Sequence, residues 1–122
     1  MIHAYYYLMW INIILMQIES LKQSIISALE DIKAENIVSL DVRKITSIAD
    51  YMIICSARST RHLKAVADTV TEKIKAKGVP PLGSEGDPNS GWIIIDFVDI
   101  IVHVMLPEIR TFYNLEKLWS TA

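Results

Sequence analysis

The sequence predicts a single α/β domain in which helices flank a mixed β-sheet. Several segments place apolar residues every three or four positions, as amphipathic helices do, and they alternate with short runs of β-branched and aromatic residues. Helices and strands that alternate in this way pack in layers around one sheet. A chain of 122 residues that is 52% hydrophobic and 21% charged can bury one packed core.

The first fifteen residues are apolar and carry neither Lys nor Arg. They lack the positive segment of a signal peptide, and they are shorter than the roughly 20 residues that a membrane helix requires. We interpret residues 1–15 as an extension of doubtful authenticity, produced by an over-extended reading frame, and residues 16–122 as the domain. An N-terminal arm that packs on a partner or on the sheet is the alternative. Either interpretation predicts a cytoplasmic protein.

The first half of the domain begins with an amphipathic helix over residues 18–33, which Asn36 is predicted to end. Residues 37–42 alternate between apolar and polar and predict a half-exposed strand. Residues 51–55 are continuously apolar, as in a central strand that is covered on both faces. Cys55 within that strand is the only cysteine, and we expect a buried, inert thiol.

The second half begins with a helix that Ser59 or Thr60 caps and Gly78 ends. Residues 79–91 hold three of the four prolines and three of the four glycines, and they predict the main loop. Residues 92–105 predict two strands, and helical spacing resumes over residues 108–119.

The predicted hairpin of residues 92–105 is apolar except for two aspartates and one histidine. A two-residue turn at Val98-Asp99 pairs Phe97 with Ile100 and fixes the register. One face is then wholly apolar and predicts core. The opposite face mixes apolar and polar groups and predicts a binding surface, which consists of Trp92, Ile94, Asp96, Ile101, His103 and Met105.

The charge balance of the chain does not favour nucleic acid or an anionic membrane. Twelve basic and 14 acidic residues give a net charge of −2. We expect contact with a protein partner more than with RNA. A basic cluster begins the second helix, and we interpret it as a solvated face, with anion or RNA contact as the alternative: Arg58, Arg61, His62 and Lys64.

Enzymatic chemistry has little support in the sequence. Nucleotidyl transfer requires two carboxylates one residue apart to hold the metal ions, whereas Asp99 follows Asp96 by three positions and falls in the turn. Asp96 and His103 are diagonal neighbours, and we interpret them as a polar pair and not as a catalytic dyad. We expect no cofactor and no metal. The alternative is a magnesium-dependent nucleotide-binding enzyme that uses Ser84 and Asp96.

Five segments, taken in order and with their spacing, resemble the ribosomal silencing factor family, which is also called Iojap-like. The resemblance extends from about Leu21 to Ser120 and leaves out the first fifteen residues. Val98 stands where that family usually has glycine, and Pro107 replaces a commonly polar residue. The segments are LDV at 40–42, DYMIICSARSTRH at 50–62, PLGSEG at 81–86, GWIIIDFVDIIVHVM at 91–105 and YNLEKLW at 113–119.

The resemblance implies a nucleotidyltransferase-like fold that lacks the catalytic carboxylates. It also implies that the protein binds the large ribosomal subunit through ribosomal protein number fourteen of that subunit and obstructs joining of the small subunit. Translation is thereby damped when nutrients are short, and a role in large-subunit maturation is also implied. The tryptophan matched by Trp92 belongs to the binding surface of that family.

We therefore expect a non-enzymatic interaction protein. An apolar anchor of Trp92, Ile94 and Met105 would lie inside a polar rim suited to a basic ribosomal protein. The same exposed face predicts a homodimer in the free state, because a patch with Trp and Met would otherwise face water. The remaining candidate binding residues are Leu82, Glu85, Asp96, Asp99 and His103.

Overall fold

A computed structural model describes residues 2–120 of the chain, which form a five-stranded sheet with helices on both faces. This mixed sheet confirms the predicted fold class. The strand order is β1-β2-β5-β4-β3, and β2 is parallel to β5 while the other neighbours are antiparallel. The elements are α1 (Ile2–Asp31), β1 (Glu35–Asp41), β2 (Tyr51–Ser56), α2 (Thr60–Ala76), β3 (Gly83–Glu85), β4 (Trp92–Asp96), β5 (Ile100–Met105), α3 (Pro107–Tyr113) and α4 (Leu115–Trp119).

The main core lies between the sheet and the helices α1 and α2. Every residue of β2 and β5 is buried, which confirms the prediction of a central strand covered on both faces. The side chain of Ser59 caps α2 by accepting a hydrogen bond from the backbone N–H of His62 at 3.0 Å, as the sequence predicts. Fully buried side chains of this core include Ile25, Leu29, Ile53, Leu63, Val66, Val70, Ile74, Ile95 and Val102.

The register of the β4–β5 hairpin is the one that the sequence predicts. Trp92 lies opposite Met105, and Asp96 lies opposite Ile101. The backbone N–H of Phe97 donates to the carbonyl of Ile100 at 2.9 Å and closes the turn. The apolar face of the hairpin therefore meets α1 and α2, and the mixed face lies on the other side of the sheet.

The first helix differs from the prediction at both ends. It is one helix over Ile2–Asp31, and it ends before Lys33, whose φ is 62°. Asn36 is not the residue that ends it, because Asn36 lies inside β1 with a φ of 51°, where the pairing register with β2 shifts. Large apolar side chains near the start of α1 are exposed; Trp10, for example, is 65% exposed. No helix in the described part of the chain has the length and apolarity to cross a membrane.

Two further predictions of local structure were wrong. Residues 79–91 are not only a loop, because the short strand β3 pairs with β4 there and extends the sheet. The helix predicted over residues 108–119 is divided into α3 and α4 by Asn114, whose left-handed φ of 49° ends the first of them. Asparagine tolerates this conformation better than most residues, so the chain turns sharply at this point.

The turn of the hairpin is strained at Val98. Its φ is 74°, and the N–H of Asp99 donates to the carbonyl of Phe97 at 3.0 Å, two residues back. A β-branched residue with positive φ is a conformational outlier, and a three-residue turn of this kind is rare. The sheet on either side therefore imposes a conformation that valine disfavours.

We expect Val98→Gly to raise the free energy of unfolding by about 1 kcal/mol, because glycine adopts positive φ without steric cost. Urea unfolding of both proteins measures this difference. Ser39→Gly is the matched control, since Ser39 is exposed in β1 with negative φ, and it should lower stability by about 0.5–1 kcal/mol. A loss of stability in Val98→Gly would contradict the proposed strain.

Candidate functional site

The C-terminal helices cover part of the mixed face of the hairpin. Met105 is completely buried, in a cluster with Ile54 and Leu115 against which Trp119 packs. His103 is also buried, with 6% of its surface exposed. The expectation that Met105 and His103 are exposed is therefore wrong. The sequence pattern of one hairpin does not predict which helices pack against it.

The uncovered part of this face is a groove between α3 and β3, with a volume of about 290 Å³. Trp92 and Ile94 form its floor, since both are half-buried side chains of β4 on this face. Glu85 lies directly across from Ile94 on β3 and supplies an exposed carboxylate at the edge. We call this the Trp92 groove; its lining residues are Glu85, Gly86, Ser90, Trp92, Ile94, Ile109 and Tyr113.

Aromatic side chains of α3 extend the Trp92 groove onto the surface. The ring centroid of Trp92 lies 4.9 Å from that of Tyr113, and Tyr113 lies 5.0 Å from Phe112. Phe112 is 80% exposed and Tyr113 is 53% exposed. Neither residue was predicted to be part of the site, because helical spacing over residues 108–119 predicts that both belong to the apolar stripe of one long helix. Asn114 was the signal of a helix end that would have separated them from that stripe.

His103 lies beneath Trp92 and holds its indole ring. The indole N–H of Trp92 donates to Nδ1 of His103 at 3.1 Å, so the proton of the neutral imidazole is on Nε2. Nε2 is buried and has no hydrogen-bond partner among residues 2–120. Burial lowers the pKa of His103 to about 4. The ring is therefore neutral at physiological pH and acts on Trp92 as an acceptor.

The structure does not bring together the polar pairs that catalysis would need. Asp96 accepts a hydrogen bond from the backbone N–H of Val98 at 2.7 Å, while His103 is engaged by Trp92. Ser84 lies opposite Ile95, and Asp96 lies opposite Gly83, so Ser84 and Asp96 point to opposite faces of the sheet. Within residues 2–120, no group of three or more His, Cys, Asp or Glu side chains is placed to hold a metal ion.

Three candidate binding residues lie at the other end of the hairpin from Trp92. Leu82 is 73% exposed, and its N–H donates to the carbonyl of Asp96 at 2.7 Å. Asp99 is exposed in the turn, where partial burial and the neighbouring Asp50 raise its pKa. Leu82, Asp96 and Asp99 therefore group together, away from the Trp92 groove.

Other candidate chemical groups have structural roles. Cys55 is completely buried, and burial raises its pKa to about 12, so it presents no thiolate. Nδ1 of His62 accepts from the N–H of Arg58 at 3.0 Å, and Nε2 lies 2.8 Å from the carbonyl of Ile32. Lys64 pairs with Asp68. Arg58 lies 3.8 Å from Glu35, so three of the four side chains of the basic cluster are engaged within the fold.

An exposed aromatic groove on one face of a sheet is the kind of surface through which a protein binds another macromolecule. The sequence model of the family described as "Ribosomal silencing factor during starvation" matches residues 16–122. The chain belongs to this family. Membership supports a ribosome-associated role in silencing translation.

The relatives agree with this assignment. The ribosomal silencing factor RsfS of Chromobacterium violaceum is 43% identical over 105 residues, which is 86% of each chain. RsfS of Bacillus subtilis is 35% identical over 79% of this chain and 81% of its own. The mouse protein named "Mitochondrial assembly of ribosomal large subunit protein 1" is 34% identical, but this chain spans only 43% of its length.

Solved structures show the same fold. A crystal structure of a Chromobacterium violaceum protein superimposes with a TM-score of 0.81 at 41% identity, over 85% of this chain and 88% of that one. A Bacillus halodurans protein gives a TM-score of 0.75 at 34% identity, over 85% and 97% of the two chains.

The pKa of His103 makes stability depend on pH. Its value falls from 6.5 to about 4 on folding, so the unfolded chain binds a proton more readily than the folded one. The contribution of neutral His103 to the free energy of unfolding is fully present above pH 6.5 and is lost as the pH falls towards 4. Over this interval, we expect the free energy of unfolding of the wild type to fall by on the order of 3 kcal/mol more than that of His103→Gln. Urea unfolding of the two proteins at several pH values tests this, and parallel pH profiles would contradict it.

Proposed function

We propose that the protein binds the large ribosomal subunit through ribosomal protein number fourteen of that subunit and thereby prevents the small subunit from joining. The proposal rests on membership of the silencing factor family and on the exposed aromatic surface of the Trp92 groove. Obstruction of subunit joining requires only affinity and bulk at a surface that the other subunit needs. Translation would be repressed without any chemical step, in the cytoplasm, when nutrients are limiting.

The aromatic residues of the groove supply the anchor of the proposed interface. Trp and Tyr are the side chains that most often dominate binding energy, because each buries a large apolar area and keeps a polar tip. Trp92 is half-buried and hydrogen-bonded to His103, so little ordering of its side chain remains to be done on binding. Tyr113 lies beside it and is exposed. Met105 would support the anchor from below without touching the partner.

The edge of the groove is acidic and complements a basic partner. Glu85 is exposed on the terminal strand β3, and Asp87 follows it two residues later. Asp96 and Asp99 continue the acidic character towards the hairpin turn, beside Leu82. Acidic groups at an interface rim increase the association rate with a basic protein more than they increase affinity. Ribosomal proteins carry positive charge because they contact RNA, so an acidic rim attracts a ribosomal protein. The same rim repels RNA, and we therefore expect little contact with RNA.

We expect Trp92→Ala to weaken binding to isolated large subunits by about 2 kcal/mol or more, which is roughly thirtyfold in Kd. Co-sedimentation with large subunits measures this, and later addition of small subunits measures the block on joining. Tyr113→Ala should also weaken binding and should disturb the fold less, since its side chain is more exposed.

Tyr6→Ala is the matched control for Tyr113→Ala, because the two tyrosines are 55% and 53% exposed. Tyr6 lies in the segment before the family match, and its loss should leave binding unchanged. Unchanged affinity in both groove variants would remove the anchor. A loss of affinity in Tyr6→Ala would instead support an N-terminal arm that contacts the partner.

Charge reversal at the rim should slow association. We expect Glu85→Lys to lower the association rate with large subunits about tenfold at low salt, with a smaller difference at high salt, because screening weakens the attraction. Glu72→Lys is the control, since Glu72 is exposed on α2 and away from the groove. Equal effects of the two reversals would indicate that net charge, and not the rim, governs association.

Self-association of the free protein and the extent of the functional domain remain part of the proposal. The surface of Trp92, Tyr113 and Phe112 would be covered by a second copy when no ribosome is bound, and the two states would compete. Residues 16–122 would suffice for both, in keeping with the limits of the family match. A role in large-subunit maturation would use the same surface.

A further inference from the structure

A polar pocket lies where the parallel strands β2 and β5 end, apart from the Trp92 groove. Its volume is about 430 Å³, within the range of roughly 300–1,000 Å³ that small-molecule sites occupy. The carboxyl ends of parallel strands are where open α/β sheets bind ligands. The pocket lies between β1, the end of β2 and the two C-terminal helices; its lining residues are Asn36, Ser56, Pro107, Arg110, Thr111, Asn114 and Glu116.

Arg110 is the charged group at the centre of this pocket. Its side chain is only 10% exposed. Nε donates to Glu116 at 2.8 Å, and Nη1 donates to the hydroxyl of Ser56 at 2.9 Å. Nη2 has no hydrogen-bond partner within residues 2–120. A guanidinium whose side chain is 10% exposed, and which keeps one donor nitrogen unused in a polar pocket, can bind an acceptor from outside.

The charges of the pocket select the ligand. Glu116 neutralises Arg110, so a phosphate with two negative charges would gain from the guanidinium and lose to the carboxylate. A zwitterion satisfies both groups, because its carboxylate accepts from Arg110 while its ammonium donates to the second oxygen of Glu116. The amides of Asn36 and Asn114 and the hydroxyl of Thr111 are left for a polar side chain.

We propose that this pocket binds a free α-amino acid with a polar side chain. The carboxylate lies on the Nη2 edge of Arg110, and the ammonium lies against Glu116. The ligand's side chain contacts the two asparagine amides. Binding involves no covalent step, and it is independent of the ribosome-binding surface.

Isothermal titration calorimetry of the full chain with glutamine, asparagine and serine tests the proposal. Glutamine amide lacks the carboxylate and N-acetylglutamine lacks the ammonium, so neither should bind. Inorganic phosphate and ATP are the competing probes. Saturable binding of at least one free amino acid, absent for its two blocked forms, is the expected result. The proposal would be overturned if none of the three amino acids bound at a concentration of about 10 mM. Binding of phosphate or ATP in place of an amino acid would also overturn it.

Two variants locate the site. Arg110→Lys keeps the charge and loses the planar guanidinium, so Kd should rise about tenfold. Thr111→Val removes one hydroxyl from an exposed position of α3 and should raise Kd several-fold. This variant still tests the site if Arg110→Lys fails to fold. Thr69→Val on α2 is the matched control and should bind as wild type does. Unchanged affinity in Thr111→Val and in a folded Arg110→Lys would place the ligand elsewhere and overturn the proposal.

Discussion

The parallel pairing of β2 with β5 is the constraint on which the rest of the structure depends. Six consecutive pairs join the strands, from Tyr51 opposite Ile100 to Ser56 opposite Met105. Both strands are buried throughout, so neither can slip by one residue without turning apolar side chains to the wrong face. Since β5 is also the second strand of a tight hairpin, the pairing fixes where β4 lies and which way Trp92 points. Because the two strands are parallel, their carboxyl ends lie at the same edge of the sheet. The helices α2 and α3 therefore both begin at that edge.

The two faces of this sheet are covered to different extents, and the candidate site results from the difference. The helices α1 and α2 bury the central strands on one face, whereas the short helices α3 and α4 cover the part of the other face above Ile54 and Met105. The strand β4, next to the terminal strand β3, extends beyond that cover, so Trp92 and Ile94 are half-buried. His103 is unusual because it is buried directly beneath a residue that is only half-buried. The imidazole is buried deeply enough to be neutral, yet it lies close enough to the surface to accept a hydrogen bond from the indole of half-buried Trp92.

The sequence was sufficient for the parts of the fold that local patterns determine. The hairpin register followed from alternation and a two-residue turn, and the start of α2 followed from two candidate capping residues, of which Ser59 is the cap. Two features had no such pattern. A three-residue strand such as β3 is too short to show alternation, and its pairing depends on the neighbouring strand. The cover over Met105 depends on where the chain goes after Asn114, which is a tertiary property. The predicted binding face was therefore correct in its side-chain order and wrong in its exposure.

The helix α3 connects the Trp92 groove to the polar pocket. It has seven residues and buries none of them, so apolar packing alone does not hold it in place. Its position depends on Arg110, which reaches Ser56 and Glu116, and on the close contact with Gly91, where a Cβ atom would lie 2.8 Å from Ile109. Tyr113 is three residues from Arg110, one turn further along the same helix. The pocket and the groove therefore share one short helix, which contributes Arg110 to the first and Tyr113 to the second.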